Sequence, residues 1–124
     1  MPPRARYLRT ILLELERIHS HLLWLGLACH FIGFDTLFMQ AWRIREPSMW
    51  MTEFLTGNRK TYGMNQIGGV SRDLPEGYRS RIAPVIDRIE KEATAVVDAI
   101  LEDGSLKARL QRSGVLSHED AKAI

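Results

Sequence analysis

The sequence predicts an all-α fold, a bundle of three main helices with one glycine-containing loop. Three observations lead there. Residues Leu8, Ile11, Leu15, Ile18, Leu22, Leu25, Cys29 and Ile32 repeat with the 3,4 spacing of one helix face. Tyr78, Ile82, Ile86, Ile89, Ala93, Val96 and Ile100 do the same further on. Proline and glycine stand where helices start and stop: Pro2-Pro3 before the first seam, Gly33 after it and Gly57 after a second helical segment.

The first helix begins just after Pro2-Pro3 and runs to Gly33. Its second face carries Arg9, Glu16 and Ser20 early and then Leu23, Trp24 and Leu27, so its N-terminal half should be half-buried and its C-terminal half surrounded. The second helix fits residues 36–56, with Leu37, Met39, Trp42, Trp50, Phe54 and Leu55. Pro47 lacks the N–H of a regular turn, so a kink or restart is expected near Arg45–Glu46. Residues 58–76 carry Gly63, Gly68, Gly69 and Pro75, which reads as a long ordered loop or a short β-excursion, a kind of segment that is often functional. The third helix covers roughly 77–102, with Pro84 kinking its first turns. Ser117-His118-Glu119-Asp120 has nearly the form of a capping box and starts a helix from about His118. So short a terminal helix is not stable alone, so the chain reads as a piece of something longer.

Composition narrows the function classes. The chain has 124 residues, about one ordinary domain, and its 45% hydrophobic and 26% charged residues fit a soluble globular protein. A net charge of +2, with bases interleaved among acids as in Arg88, Glu90, Lys91 and Glu92, argues against nucleic acid. A single cysteine excludes an internal disulfide, and MPPRARY has no apolar run for a signal peptide. The longest apolar stretch, Leu22 to Phe34, falls short of the ~20 residues that span a bilayer.

The stretch LERIHSHLLWLGLACH, residues 15–30, holds three histidines and the cysteine. It is not a ligand set. His19 and His21 lie about 200° apart around a helix, and His21 and Cys29 about 12 Å apart along it. Neither pair has the i,i+4 spacing of a helical chelate. Cys29 sits on the apolar seam as a small core residue. Glu14, Arg17 and His21, spaced 3 and 4, do share a face. They form either a solvated i,i+3 ion pair or a polar network inside the bundle, completed by Arg45 or Glu46.

These stretches carry a resemblance. ERIHSHLLWLGLACHFIGFDTLFMQAWRIRE, LTGNRKTYGMNQIGGVSRDLPEG and GVLSHEDA resemble the large subunit of membrane-bound [NiFe] hydrogenases of the formate hydrogenlyase and carbon-monoxide-induced types, and the related subunit of the quinone module of respiratory NADH dehydrogenase (complex I). The shared pattern falls on Glu14, Arg17, Ile18, His21 and Leu22, on Arg45-Glu46, on Gly57 and Arg59, and on Gly68-Gly69-Val70. The resemblance implies a single helical domain, residues 1–124, from the middle of a longer subunit, with Glu14, Arg17, His21, Arg45 and Glu46 as a structural polar network. It also implies that Arg59 and the Gly68-Gly69-Val70 loop face the iron–sulfur cluster of a partner small subunit. Paired glycines permit such close approach, and an arginine would offset cluster charge; an ordinary turn with a surface arginine is the alternative reading.

The hydrogenase branch holds nickel and iron through two C-x-x-C pairs. This chain has neither, so no metal, no cofactor and no catalysis are expected of it alone. The parent would move electrons through the partner's clusters and reduce protons or oxidise hydrogen. Its partners would be the iron–sulfur small subunit and membrane-arm subunits, on the cytoplasmic face of the inner membrane. Two departures separate the branches. Phe31 stands where the quinone-reducing branch has a functional aspartate, and Thr61 where it has a histidine; neither carries a proton near neutral pH. Asp35 offers a carboxylate in a different geometry. The balance favours the hydrogenase over the quinone or NAD-linked alternative, with a non-enzymatic helical scaffold as a third reading. His19 and His30 are expected to be solvated or core-satisfied, and Trp24, Trp42 and Trp50 to pack the bundle. Self-association is expected where the first helix is apolar all round.

Overall fold

The computed structural model describes residues 1–61 and 63–124. It is mostly helical, 73% of the chain, in the order α1 (Pro3–Ile32), α2 (Asp35–Thr56), β1 (Asn65–Gln66), β2 (Gly69–Val70), α3 (Tyr78–Glu102), α4 (Gly104–Leu110) and α5 (His118–Ala123). The all-α class and the three main helices are as the sequence predicts. The loop contains the short β-excursion, an antiparallel pair with Asn65 opposite Val70 and Gln66 opposite Gly69.

α1 starts at Pro3, one residue earlier than the sequence reading placed it, because the first N–H groups of a helix need no intrahelical partner. It stops at Gly33, whose φ of 87° lets its N–H reach back to the carbonyl of His30 at 2.8 Å. The chain reverses through Gly33-Phe34, so α2 runs back along α1. Gly26 permits the contact: a Cβ there would lie 2.7 Å from Trp42 Cδ1. α3 packs on α2, with Arg43 of α2 pairing to Glu92 of α3 at 2.9 Å, and its Ile86 and Ile89 share a pocket with Ile18 and Leu22 of α1.

α2 is therefore the middle rod. Leu15, Leu22 and Cys29 of α1 meet Leu37, Ile44, Met51 and Leu55 of α2 in one core, which Ile89 and Val96 of α3 extend. The expected restart near Arg45–Glu46 does not occur. α2 is one helix through Pro47, as α3 is through Pro84. Each proline removes one backbone donor, and in α2 the loss is outweighed by burial of Ile44, Ser48, Met51 and Leu55 on either side of it.

Two further findings differ from the sequence reading. The C-terminal half of α1 is not surrounded by this chain: Trp24 is 69% and Phe31 81% exposed. The short helix α4 is the other. Asp103 caps it by accepting from the backbone N–H of Leu106 at 2.7 Å, and Leu106 plugs the core below the α1–α2 turn while Arg109 donates to the Ile32 carbonyl. α5 forms from the predicted Ser117 cap but buries nothing. Among the described residues, no helix is long and apolar enough to cross a membrane.

Candidate functional site

Two features place chemistry-bearing side chains together, both on the flank where α1 meets the loop after α2. The first is the β1–β2 hairpin. Its turn, Ile67-Gly68, uses the left-handed backbone at Gly68 (φ 88°), which suits glycine. Gly69 has no positive φ; it instead lies flat against α1, a Cβ there meeting Ala5 at an ordinary 3.7 Å. Arg9 of α1 fastens the hairpin, donating from Nη2 to the Gln66 carbonyl at 2.8 Å and from Nε to the Gly69 carbonyl at 3.2 Å. Arg4 adds a two-pronged pair to Asp73 at 2.7 and 2.8 Å, and this guanidinium holds the Asp73 carboxyl below its ordinary range. The result is an open cleft of about 560 Å³ floored by Ala5, Leu8 and Gly69, with Ile67 standing fully exposed at the hairpin tip.

The second feature is a polar cleft of about 230 Å³ between α1 and residues 59–61, lined by Glu16, His19, Ser20, Thr52, Arg59, Lys60 and Thr61. Glu16 and His19 are one turn apart, so both face the loop. The buried Thr61 hydroxyl donates to Glu16 Oε1. His19 Nε2 accepts from Lys60 Nζ at 2.8 Å and lies within hydrogen-bond reach of Arg45 Nη2, so its proton sits on Nδ1. Burial, with the two cations behind it, pushes the His19 pKa down to about 4. The imidazole is thus a neutral acceptor at physiological pH. Burial also lowers the Arg45 pKa, and Arg45 Nε is buried without a partner.

The predicted polar network is not assembled as one unit. Glu14 and Arg17 form an i,i+3 ion pair at 3.1 Å with both side chains about half exposed (51% and 53%), and His21 is exposed beside them. Arg45 leaves that face, stacking over Trp42 at 5.1 Å and reaching His19. Glu46 pairs with Arg59 at 2.7 Å, and Glu53 stands 3.9 Å from the same guanidinium. The Arg59 hydrogen bond draws the Glu46 pKa below the usual carboxylate range. Arg59 therefore belongs to the second cleft, whereas Gly68, Gly69 and Val70 line the first. The α1 spacing identified residues that share a face, but the face turned to the loop carries Glu16 and His19. Their own i,i+3 spacing was the available signal.

His30 is exposed rather than core, its Nδ1 2.7 Å from Asp35 Oδ1 and its ring 5.2 Å from that of Phe38. Cys29 is buried, and burial raises its thiol pKa. Among the described residues, no three of His, Cys, Asp and Glu converge as metal ligands would.

Residues 32–124 match the family described as the respiratory-chain NADH dehydrogenase 49 Kd subunit. The chain is 47% identical over 124 residues to hydrogenase-4 component G of Escherichia coli (strain K12), covering 100% of this chain and 22% of that protein. It is 48% identical over 122 residues to formate hydrogenlyase subunit 5 of the same organism, covering 98% and 21%. Against an NADH-quinone oxidoreductase subunit of Campylobacter curvus (strain 525.92) it is 40% identical over 119 residues, covering 96% and 29%. The chain spans about a fifth of the length of the two hydrogenase-type relatives.

Proposed function

We propose, from the premise that this chain belongs to the family of the respiratory-chain NADH dehydrogenase 49 Kd subunit, that it is the helical middle of a hydrogenase-type large subunit resembling those of formate hydrogenlyase and hydrogenase-4. The parent subunit reduces protons with electrons received from a partner's iron–sulfur clusters, or oxidises hydrogen and passes the electrons to those clusters. The carrying observation is that identity is 47–48% to the two hydrogenase-type relatives against 40% to the quinone-oxidoreductase relative. The side chains agree in sense: Phe31, at the end of α1, and the buried Thr61 have no titratable group, and the carboxylate nearest Thr61, Glu16, is hydrogen-bonded to it.

The residues present do not fit a nickel–iron centre. The single thiol, Cys29, is buried in the α1–α2 core, and the sequence holds no second cysteine to complete a thiolate set. In this reading other parts of the subunit ligate the metals. The role of residues 1–124 is mechanical and electrostatic. The α1–α2–α3 core fixes the hairpin and Arg59, the surfaces proposed to face the small subunit, and membrane-arm subunits of the complex hold the assembly at the cytoplasmic face of the membrane. A backbone pinned by Arg9 and Arg4 at several points gives such an interface a set position.

The gene regions on either side supply the test. The expected result is one C-x-x-C pair upstream and one downstream. Absence of both, with a histidine and tyrosine of a quinone pocket upstream, would instead make the chain part of a quinone-reducing subunit, the reading that its family description favours. The purified chain itself is expected to carry no stoichiometric nickel by elemental analysis; about one nickel per chain would overturn this assignment of Cys29 and the histidines.

A further inference from the structure

The β1–β2 hairpin presents one apolar side chain that nothing in the described residues covers. Ile67 is fully exposed at the tip, while Met64 at the base is 1% exposed. The backbone between them is held from two sides. The Ser71 N–H donates to the Met64 carbonyl at 2.8 Å, and Arg9 binds the Gln66 and Gly69 carbonyls that flank the tip. An isoleucine displayed on so fixed a backbone has little ordering left to lose on binding, which suits it as an interface anchor. Beside it lies the open cleft of about 560 Å³, with Arg72 on its wall. The Arg72 guanidinium rests on Gly57, its Nη1 2.8 Å from where a Cβ would stand, and among the described residues Arg72 forms no ion pair. Its neighbour Arg4 is committed to Asp73. The positive excess survives a wider count. Extending it to Arg9, and to Arg59 with its partners Glu46 and Glu53, still leaves one positive charge. Adding Lys60 with Glu16, and Arg79 with Glu76, changes nothing.

We propose that the hairpin docks on a protein surface offering an apolar socket for Ile67 and, beside it, one Asp or Glu carboxylate for Arg72. This rests on the reading above, in which the hairpin faces the iron–sulfur small subunit, and assigns the chemistry of that partner's surface. The single unpaired guanidinium next to a single apolar anchor defines the match: a carboxylate supplies the charge that Arg72 lacks, and the socket desolvates Ile67. A lipid surface fits less well, because one isoleucine at a hairpin tip buries too little apolar area to hold a protein on a membrane.

The test is the affinity of the full-length large subunit for its purified small subunit. Ile67→Asp is expected to weaken association at least about tenfold, and Ile67→Leu to leave it within a few-fold. Arg72→Glu should also weaken it at least about tenfold at low salt and less at high salt, and one Asp→Lys or Glu→Lys change on the small subunit should restore it. Both residues are exposed, and unchanged circular dichroism checks that the variants fold. Folded Ile67→Asp and Arg72→Glu variants that bind as the wild type does overturn this inference and leave the reading beneath it standing. A wild-type pair that does not associate overturns that reading and this inference with it. Vesicles of phosphatidylglycerol are expected not to retain the large subunit, and retention that Ile67→Asp abolishes would replace the protein partner with a membrane.

Discussion

α2 and α3 are of similar length, 22 and 25 residues, yet they live in different surroundings. α3 has the cleaner sequence pattern, an unbroken apolar stripe, and buries only Ile89 and Val96. α2 reads as scattered apolar residues interrupted by a proline, and buries Leu37, Ala41, Ile44, Met49, Met51 and Leu55 along with Ser48, Thr52 and Thr56. The difference is the number of neighbours. α2 lies between α1 and α3 and is covered from two directions, so even small polar positions are closed off, with Thr52 and Thr56 donating to carbonyls one turn back. α3 packs mainly on α2 and meets α1 only along the edge where Ile86 and Ile89 face Ile18 and Leu22. Amphipathicity reports that a face seeks cover, while the amount of cover is decided by topology.

The largest expected effect tests this directly. Ile44 is 1% exposed at the centre of α2, so Ile44→Ala removes buried methyl groups and leaves a cavity that two flanking helices hold open. A loss of about 2–5 kcal/mol in urea unfolding is expected. Val96→Ala on α3, 7% exposed with one open side, can relax and should cost about 1 kcal/mol. Equal losses would mean that α3 is covered as fully as α2, for instance by self-association.

The two seams of α2 should also come apart at different pH. On the α1 side His19 has its pKa lowered from 6.5 to about 4. The unfolded chain takes up the proton first, so stability is intact above 6.5, falls as pH drops from 6.5 to about 4, and changes no further from this group below that. On the α3 side, hydrogen bonds from Arg88, aided by Arg43, lower the Glu92 pKa, so its contribution is present above 4.5 and is lost only as pH falls below that. Urea unfolding at pH 7 and at pH 4.5 is expected to differ by ~1–2 kcal/mol, a figure reduced for the partly solvated imidazole. His19→Gln should remove most of that difference. A wild-type stability that is flat from pH 7 to 4.5 would show that Arg45 and Lys60 do not bear on His19 as described.

Much of the fold was legible because punctuation and periodicity act locally. Pro2-Pro3, Gly33 and Gly57 bound two helices through backbone geometry alone, and Ser117 caps α5 with its own hydroxyl. α4 was not legible, although Asp103 is a good cap, because seven residues carry too little pattern and its one buried side chain, Leu106, is placed by a distant α1–α2 turn. The continuity of α2 through Pro47 is likewise a tertiary result, local proline chemistry being overridden by packing on both sides. For the candidate site, spacing was read as putting Glu14, Arg17 and His21 on one face, while the i,i+3 pair Glu16 and His19 on another went unread. Which of the two turns toward Lys60 and Thr61 depends on where the loop after Gly57 returns, and helical spacing says nothing about that.

The same contrast reaches the ion pairs, with the smallest effects. Arg43–Glu92 bridges α2 and α3 at 2.9 Å with the Glu92 side chain 24% exposed, whereas Arg17–Glu14 lies along α1 with both side chains about half exposed. Arg43→Ala should cost about 1 kcal/mol, since a partly desolvated carboxylate loses one of its two guanidinium partners. Arg17→Ala should cost about 0.3 kcal/mol and become neutral in high salt. Denaturant midpoints at low and high ionic strength measure both. If Arg17→Ala proved the more costly of the two, the outer face of α1 would have to be covered by a neighbour that the chain does not itself supply, and the half-solvated Glu14–Arg17–His21 face would become a buried network after all.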